Sequence, residues 1–182
     1  ATALERFEDA PLMHFSLEGD GSGYKAIMIP DGGMRHIVSK KSFEYKKIAP
    51  GIYRTPLHIA LDGIEVFNFS LREVVPNINK LLAFSGQDLA TVDYIIFHQA
   101  NRLINETLRK MLKIPKEKVP YSLYKFGNTS SASIPLTIVS ELRNQVQQND
   151  LFLLLSAFGI GLSWATATVE FHKVFCPELI EL

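Results

Sequence analysis

Apolar residues recur at three- and four-residue intervals through "SLREVVPNINKLLAFSG", where Leu71, Val74, Val75, Ile78, Leu81 and Leu82 share one helical face. The spacing predicts an amphipathic helix with Ser70 as its N-cap, Gly86 beyond its end and a kink at Pro76. "VDYIIF" is instead an unbroken apolar run of strand length. After it, Leu103, Ile104, Leu108, Met111 and Leu112 restore helical spacing, so the stretch reads as strand, short turn, helix. "KVPYSLYKFGNTSSASIP" reads as a short strand and a turn. Ile134, Ile138, Leu142 and Val146 then mark a further helix, whose start carries Ser131, Ser133 and a first-turn Pro135. "LFLLLSAF" and "LSWATATVEF" are two strands joined by "GIG", a hairpin signal. In the first third, "PLMHFSLEG" and "YKAIMIP" are short strands punctuated by the turns "GDGSG" and "PDGG". From Asp31 to Pro56 little periodicity survives. This order predicts a layered α/β domain with a mixed sheet.

Composition narrows what such a domain can do. Its 182 residues suffice for one substantial domain that buries roughly 70% of the unfolded chain's surface. Nineteen Lys and Arg balance nineteen Asp and Glu, so no overall field steers the chain toward nucleic acid or an anionic membrane. The basic-aromatic tract "SKKSFEYKK" therefore reads as a solvated loop rather than a single-strand platform. Cys176 is the only cysteine, which rules out an internal disulfide and any zinc-spaced Cys/His cluster. No apolar run approaches the ~20 residues of a membrane span and no secretory signal pattern opens the chain, so the expectation is a soluble cytoplasmic domain. The chain opens on Ala1, and "ATALERF" reads as the end of a strand, which hints at a piece of something longer.

Three junctions carry groups suited to polarising a carbonyl: His98 after "VDYIIF", Asn128 in "FGNTSSAS", and Gly159 with Gly161 between the last two strands. In α/β sheets ligands collect where strands end and helices begin. Each junction also has an ordinary explanation. A single histidine after a strand is more often structural, Asn is common in turns, and Gly-x-Gly between strands is most often just a turn. His14, His36, His58 and His172 have no motif around them, and "GDGSG" lacks the Gly-Lys-Ser/Thr of a phosphate loop.

The literal strings "HQAN", "GNTSSASIP" and "FGIGLSW", in that order and preceded by "DGIEVFNFSL", resemble the C-terminal half of 3-oxoacyl-acyl-carrier-protein synthase III, a thiolase-like condensing enzyme. The resemblance runs over nearly the whole chain. It implies that residues 1–182 are a C-terminal domain only, a thiolase-like half in which helices cover both faces of a mixed five-stranded sheet. It also implies a triad of one cysteine from an absent N-terminal half with His98 and Asn128 from this one. The backbone donor of the glycine-rich turn falls at Ile160, flanked by Gly159 and Gly161. Cys176, in the tail, is then a bystander. Acyl-CoA and malonyl-carrier protein would be the substrates, with no metal or other cofactor, and the complete protein would be a homodimer. Arg102, Arg109, Lys110 and Lys113 would form a patch that receives the acidic carrier protein. Two other readings stay open: a separate non-catalytic subunit paired with a cysteine-bearing chain, and a related polyketide, alkylquinolone or hydrocarbon synthase.

Overall fold

The computed structural model describes residues 2–4, 6 and 8–180. In chain order its elements are β1 (His14–Gly19), β2 (Ile27–Met28), β3 (Lys46–Ala49), β4 (Ile52–Arg54), β5 (Ala60–Leu61), α1 (Gly63–Ser85), β6 (Tyr94–Phe97), α2 (Arg102–Met111), α3 (Leu123–Phe126), α4 (Ser133–Glu141), α5 (Arg143–Gln148), β7 (Asp150–Gly159) and β8 (Ser163–His172). They fall into two compact units, one of Ala1–Glu18, Ser70–Phe158 and Trp164–Leu182, the other of Gly19–Phe69 and Gly159–Ser163.

The first unit is built on a sheet of order β1-β8-β7-β6. β6 runs parallel to β7, with Tyr94 opposite Leu153 and Phe97 opposite Ser156. β7 and β8 are joined by a three-residue turn and so form an antiparallel hairpin, which makes the sheet mixed. Ile96, Leu151 and Leu153 cluster with Leu142 and Val146 of the α4–α5 region and with Cys176. Ile95, Phe97 and Leu154, which the period-two pleat turns to the opposite face, are also buried. Both faces are thus covered, which is why these strands read as continuous apolar runs. Burial raises the pKa of the Cys176 thiol, against the thiolate character a nucleophile needs.

The long helix begins earlier than its apolar spacing predicts. Asp62, not Ser70, is its cap: one carboxylate oxygen accepts from the Ile64 and Glu65 N–H groups at 3.1 Å each. Ser70 lies fully buried inside the helix, which runs through Pro76 to Ser85 and ends before Gly86 at φ 69°. Asn77 Nδ2 donates to Ser16 Oγ at 2.8 Å and Lys80 pairs with Glu18, so this helix lies along β1.

The sheet has four strands among the described residues where the resemblance implies five. The short strand expected in "KVPYSLY" does not form. Pro120 has no N–H to give to a ladder, the Tyr121 hydroxyl goes to Glu106 at 2.8 Å, and Ser122 shares a 2.6 Å hydrogen bond with Thr137 as the chain turns into α3. The strand end expected in "ATALERF" falls partly outside the described residues, and residues 2–4 and 6 are in no strand.

In the second unit, β2 pairs antiparallel with β5, Ile27 opposite Leu61, and β3 pairs with β4 across a bulge between Lys47 and Ala49. Within the Asp31–Pro56 stretch, where little periodicity survives, the chain forms a ribbon turning at Gly51, φ 74°, which takes in only Lys46 and Lys47 of the tract expected as a solvated loop; the rest of that tract is exposed apart from Ser42. The ribbon's Ile48, Ile52 and Tyr53 are exposed, so no buried face impressed a period on the sequence. "GDGSG" holds the hairpin tip. The Asp20 carboxylate accepts from Ser22 N–H at 2.9 Å, while the Asp20 backbone exchanges two hydrogen bonds with Leu162, 2.8 and 2.9 Å. A Cβ on Gly23 would sit 2.5 Å from Leu162 Cδ1, so any larger residue there would have to displace the Leu162 side chain. No helix among the described residues is long and apolar enough to cross a membrane.

Candidate active site

His98 follows β6 directly. Its N–H donates to the Ser156 carbonyl at 2.8 Å, extending the ladder by one residue, and Ala100 N–H then donates to the His98 carbonyl at 2.9 Å to open the turn. Gln99 is fully buried: Nε2 donates to the Phe97 carbonyl at 2.9 Å and Oε1 accepts from Leu123 N–H at 3.2 Å. Asn101 caps α2 by accepting from Ile104 N–H at 2.9 Å. Asn105, also fully buried, donates to the His98 carbonyl at 3.2 Å. The glutamine and asparagine of "HQAN" are committed to backbone, and the imidazole is the polar group left for other work. An Asn directly before an apolar-periodic run is an N-cap signal that could have found Asn101. Nothing local marks Gln99 or Asn105, whose partners are tertiary.

The half-buried His98 ring meets Phe158 edge-on, centroids 5.7 Å apart at 83°. Its Nδ1 lies 2.7 Å from Ser133 Oγ. Burial pushes the imidazole pKa below its usual value, with the Ser130 carbonyl pulling the other way, so the neutral ring is favoured near neutral pH. Ser133 is therefore turned to the histidine rather than capping α4, which starts with no side-chain cap.

Asn128 is exposed on the loop between α3 and α4, just after Gly127 ends α3 at φ 66°. Its Oδ1 accepts from Ser130 N–H at 2.9 Å, which fixes the side chain and leaves the amide hydrogens on Nδ2 for another acceptor. Ser130 sits at φ 53°, in the left-handed region. Ser130 N–H thus holds Asn128, and the Ser130 carbonyl lies near enough to the His98 ring to oppose the effect of burial on it.

Gly159, Ile160 and Gly161 form the hairpin tip, in the second unit. The unusual backbone falls on Gly161, φ 145°, where a Cβ would lie 2.8 Å from Ser163 N; Ile160 keeps an ordinary φ, so its β-branch is accommodated. The Ile160 carbonyl accepts from Ser163 Oγ at 2.6 Å, and the Gly161–Leu162 peptide is cis.

Of the expected basic patch, Arg102, Lys110 and Lys113 are exposed and Arg109 is not. Only 9% of Arg109 is accessible. Its Nη1 donates to the Ile114 carbonyl at 2.6 Å and its Nη2 to Glu106 at 3.0 Å, so it closes the end of α2 instead of facing a partner. The Glu106–Arg109 spacing of three was the sequence signal for this pair. Arg109, and then the Tyr121 hydroxyl, hold the Glu106 carboxyl down at about 2. Burial, reinforced by Glu106, pushes the Tyr121 phenol up. Arg102 lies over the Tyr124 ring, 5.9 Å from its centroid, and lines a shallow pocket with Glu106, Lys116, Tyr121 and Tyr124.

Residues 82–171, which contain His98, Asn128 and the hairpin tip, match the family described as 3-oxoacyl-[acyl-carrier-protein] synthase III, C terminal. The chain is 41% identical over 170 residues to a beta-ketoacyl-[acyl-carrier-protein] synthase III of Prochlorococcus marinus (strain MIT 9301), covering 92% of this chain and 48% of that protein. A crystal structure of a 3-oxoacyl-(acyl-carrier-protein) synthase III aligns with TM-score 0.84 at 34% identity, over 93% of this chain and 50% of that one. The priming beta-ketosynthase from the R1128 polyketide pathway aligns with TM-score 0.68 at 25% identity, over 90% and 46%. The fold is thiolase-like, and the chain spans about half the length of the curated relatives it matches.

Proposed function

Because the chain matches the C-terminal region of 3-oxoacyl-[acyl-carrier-protein] synthase III, we propose that it belongs to that family and that His98 and Asn128 are the two neutral hydrogen-bond donors of a decarboxylative condensing site. The observation that carries this reading is that each side chain is held through one polar atom, His98 Nδ1 by Ser133 Oγ and Asn128 Oδ1 by the Ser130 N–H, which leaves His98 Nε2 and Asn128 Nδ2 uncommitted to any described partner. In the proposed reaction an acyl group moves from acyl-CoA to a cysteine thiolate, and CoA leaves. Malonyl-carrier protein then loses CO2, and the electrons of the broken C–C bond form an enolate whose carbon attacks the acyl-enzyme carbonyl, breaking its C–S bond and releasing the cysteine thiolate. Negative charge gathers on the malonyl thioester oxygen, and two fixed donors aimed there stabilise it without ionising. The lowered pKa of His98 supports the neutral form. The Ile160 N–H, at the hairpin tip, is assigned to the acyl-enzyme carbonyl in the same reading.

Cys176 is buried with a raised pKa, so the nucleophile is assigned to a part of the protein outside this chain, and the chain alone is inactive. The reading carries with it the start of fatty acid synthesis, no cofactor beyond the thioesters, a cytoplasmic location, a dimer of the complete protein, and an acyl carrier protein that docks on exposed Arg102, Lys110 and Lys113. It is tested in the complete, cysteine-bearing protein by malonyl-carrier-protein decarboxylation. His98→Ala or Asn128→Ala should each slow the reaction by roughly 10²–10³-fold, the usual loss for one oxyanion donor. Rates equal to the parent's in both variants would remove the assignment.

A further inference from the structure

We infer that Ser133 is a positioning residue that fixes the His98 tautomer, keeping the ring proton on Nε2. The argument is one of proton accounting. Ser133 is 1% exposed, and its Oγ has one described partner, His98 Nδ1 at 2.7 Å. A buried hydroxyl hydrogen needs an acceptor. If Nδ1 carried the ring proton, Ser133 would accept that N–H and its own O–H would be stranded away from water. If Nδ1 is bare, Ser133 donates to it and both groups are satisfied. Neighbouring hydroxyls offer no alternative acceptor. Thr137 Oγ1 donates to the Ser133 carbonyl at 2.8 Å, so the Ser122 hydroxyl must donate to Thr137 across their 2.6 Å contact.

The consequence is chemical. A neutral imidazole donates from one nitrogen only, and a donor role for His98 needs the proton on the nitrogen that Ser133 does not occupy. Stranding a buried hydroxyl biases the equilibrium roughly 5- to 150-fold. The functional weight of this device rests on the donor role proposed for His98, but the tautomer itself does not.

The test is NMR of the protein labelled with ¹³C,¹⁵N-histidine, the His98 signals being identified by their loss in His98→Gln. The ring ¹⁵N shifts should show Nε2–H in the parent, with the ratio falling at least about fivefold in Ser133→Ala and restored in Ser133→Thr, which keeps the hydroxyl. In the complete enzyme Ser133→Ala should lower kcat for decarboxylation with little change in KM, because binding does not depend on the proton's position. A parent ring protonated on Nδ1, or a ratio unmoved in a folded Ser133→Ala, would overturn the inference. The parent spectrum alone decides the matter should Ser133→Ala fail to fold. If the tautomer behaves as stated while His98→Ala leaves decarboxylation intact, the positioning role stands and the donor reading falls.

Discussion

The junction from β6 into α2 and the loop from α3 into α4 each present one candidate side chain, but they are held in opposite ways. At the first, the flanking side chains of "HQAN" are consumed: buried Gln99 ties Phe97 to Leu123, Asn101 caps α2, and Asn105 reaches back to the His98 carbonyl. At the second, Asn128 is exposed and its side chain is held by one hydrogen bond to Ser130, whose backbone sits in the left-handed region. A site built from one rigid and one lightly tethered donor places the cost of precision on the buried side. Damage at the first junction should therefore appear mainly as lost stability, and damage at the second mainly as lost activity.

The largest expected effect on the fold is at Gln99. Gln99→Ala strands the buried Phe97 carbonyl and Leu123 N–H, each worth about 1–3 kcal/mol, and should lower unfolding free energy by about 2–4 kcal/mol in urea denaturation. A cost below about 0.5 kcal/mol would show that the junction is not held as described.

Next is Glu106, on the helix that the first junction launches. Its carboxyl titrates at about 2 in the fold, below the ordinary 4.5, so it contributes stability that is fully present above about 4.5 and is lost as pH falls toward 2. Glu106→Gln should cost about 1–2 kcal/mol at pH 7, discounted because the carboxylate is partly solvated, and the cost should vanish at the acid end. A cost independent of pH from 7 down to 2 would contradict this.

The smallest effect sharpens the second junction. Ser130→Gly removes the penalty of a left-handed residue while keeping the N–H that holds Asn128, and it should change stability by about 1 kcal/mol or less, in the stabilising direction. Ser130→Pro, which lacks that N–H and cannot adopt this φ, should instead abolish decarboxylation. If Ser130→Pro retained full activity, the Ser130 N–H would not be what holds Asn128 in place for the reaction.

What the chain discloses by itself follows from how local each interaction is. α2 was legible because its burial repeats at helical spacing, and β6 and β7 because strands buried on both faces read as unbroken apolar runs of strand length. The start of α1 was misplaced because an aspartate cap lies a full two turns before the apolar stripe begins. The β3–β4 ribbon left no pattern, since neither face is buried. At the site, residue identity and motif order drew attention to His98 and Asn128, whereas their partner Ser133 looked like a helix start and Arg109 like surface charge. Both of those depend on contacts that no spacing rule encodes: a hydroxyl reaching back 35 residues to an imidazole, and a guanidinium folded onto a carbonyl at its own helix end.

The most direct test of two donors sharing one oxygen is a double-mutant cycle on malonyl-carrier-protein decarboxylation in the complete protein, with His98→Ala, Asn128→Ala and the pair together. Donors that act on a single developing oxyanion lose their effect jointly, so the account predicts that the double variant is slowed by far less than the product of the two single losses. Losses that multiply would place the two side chains on separate tasks and contradict the shared-oxyanion site.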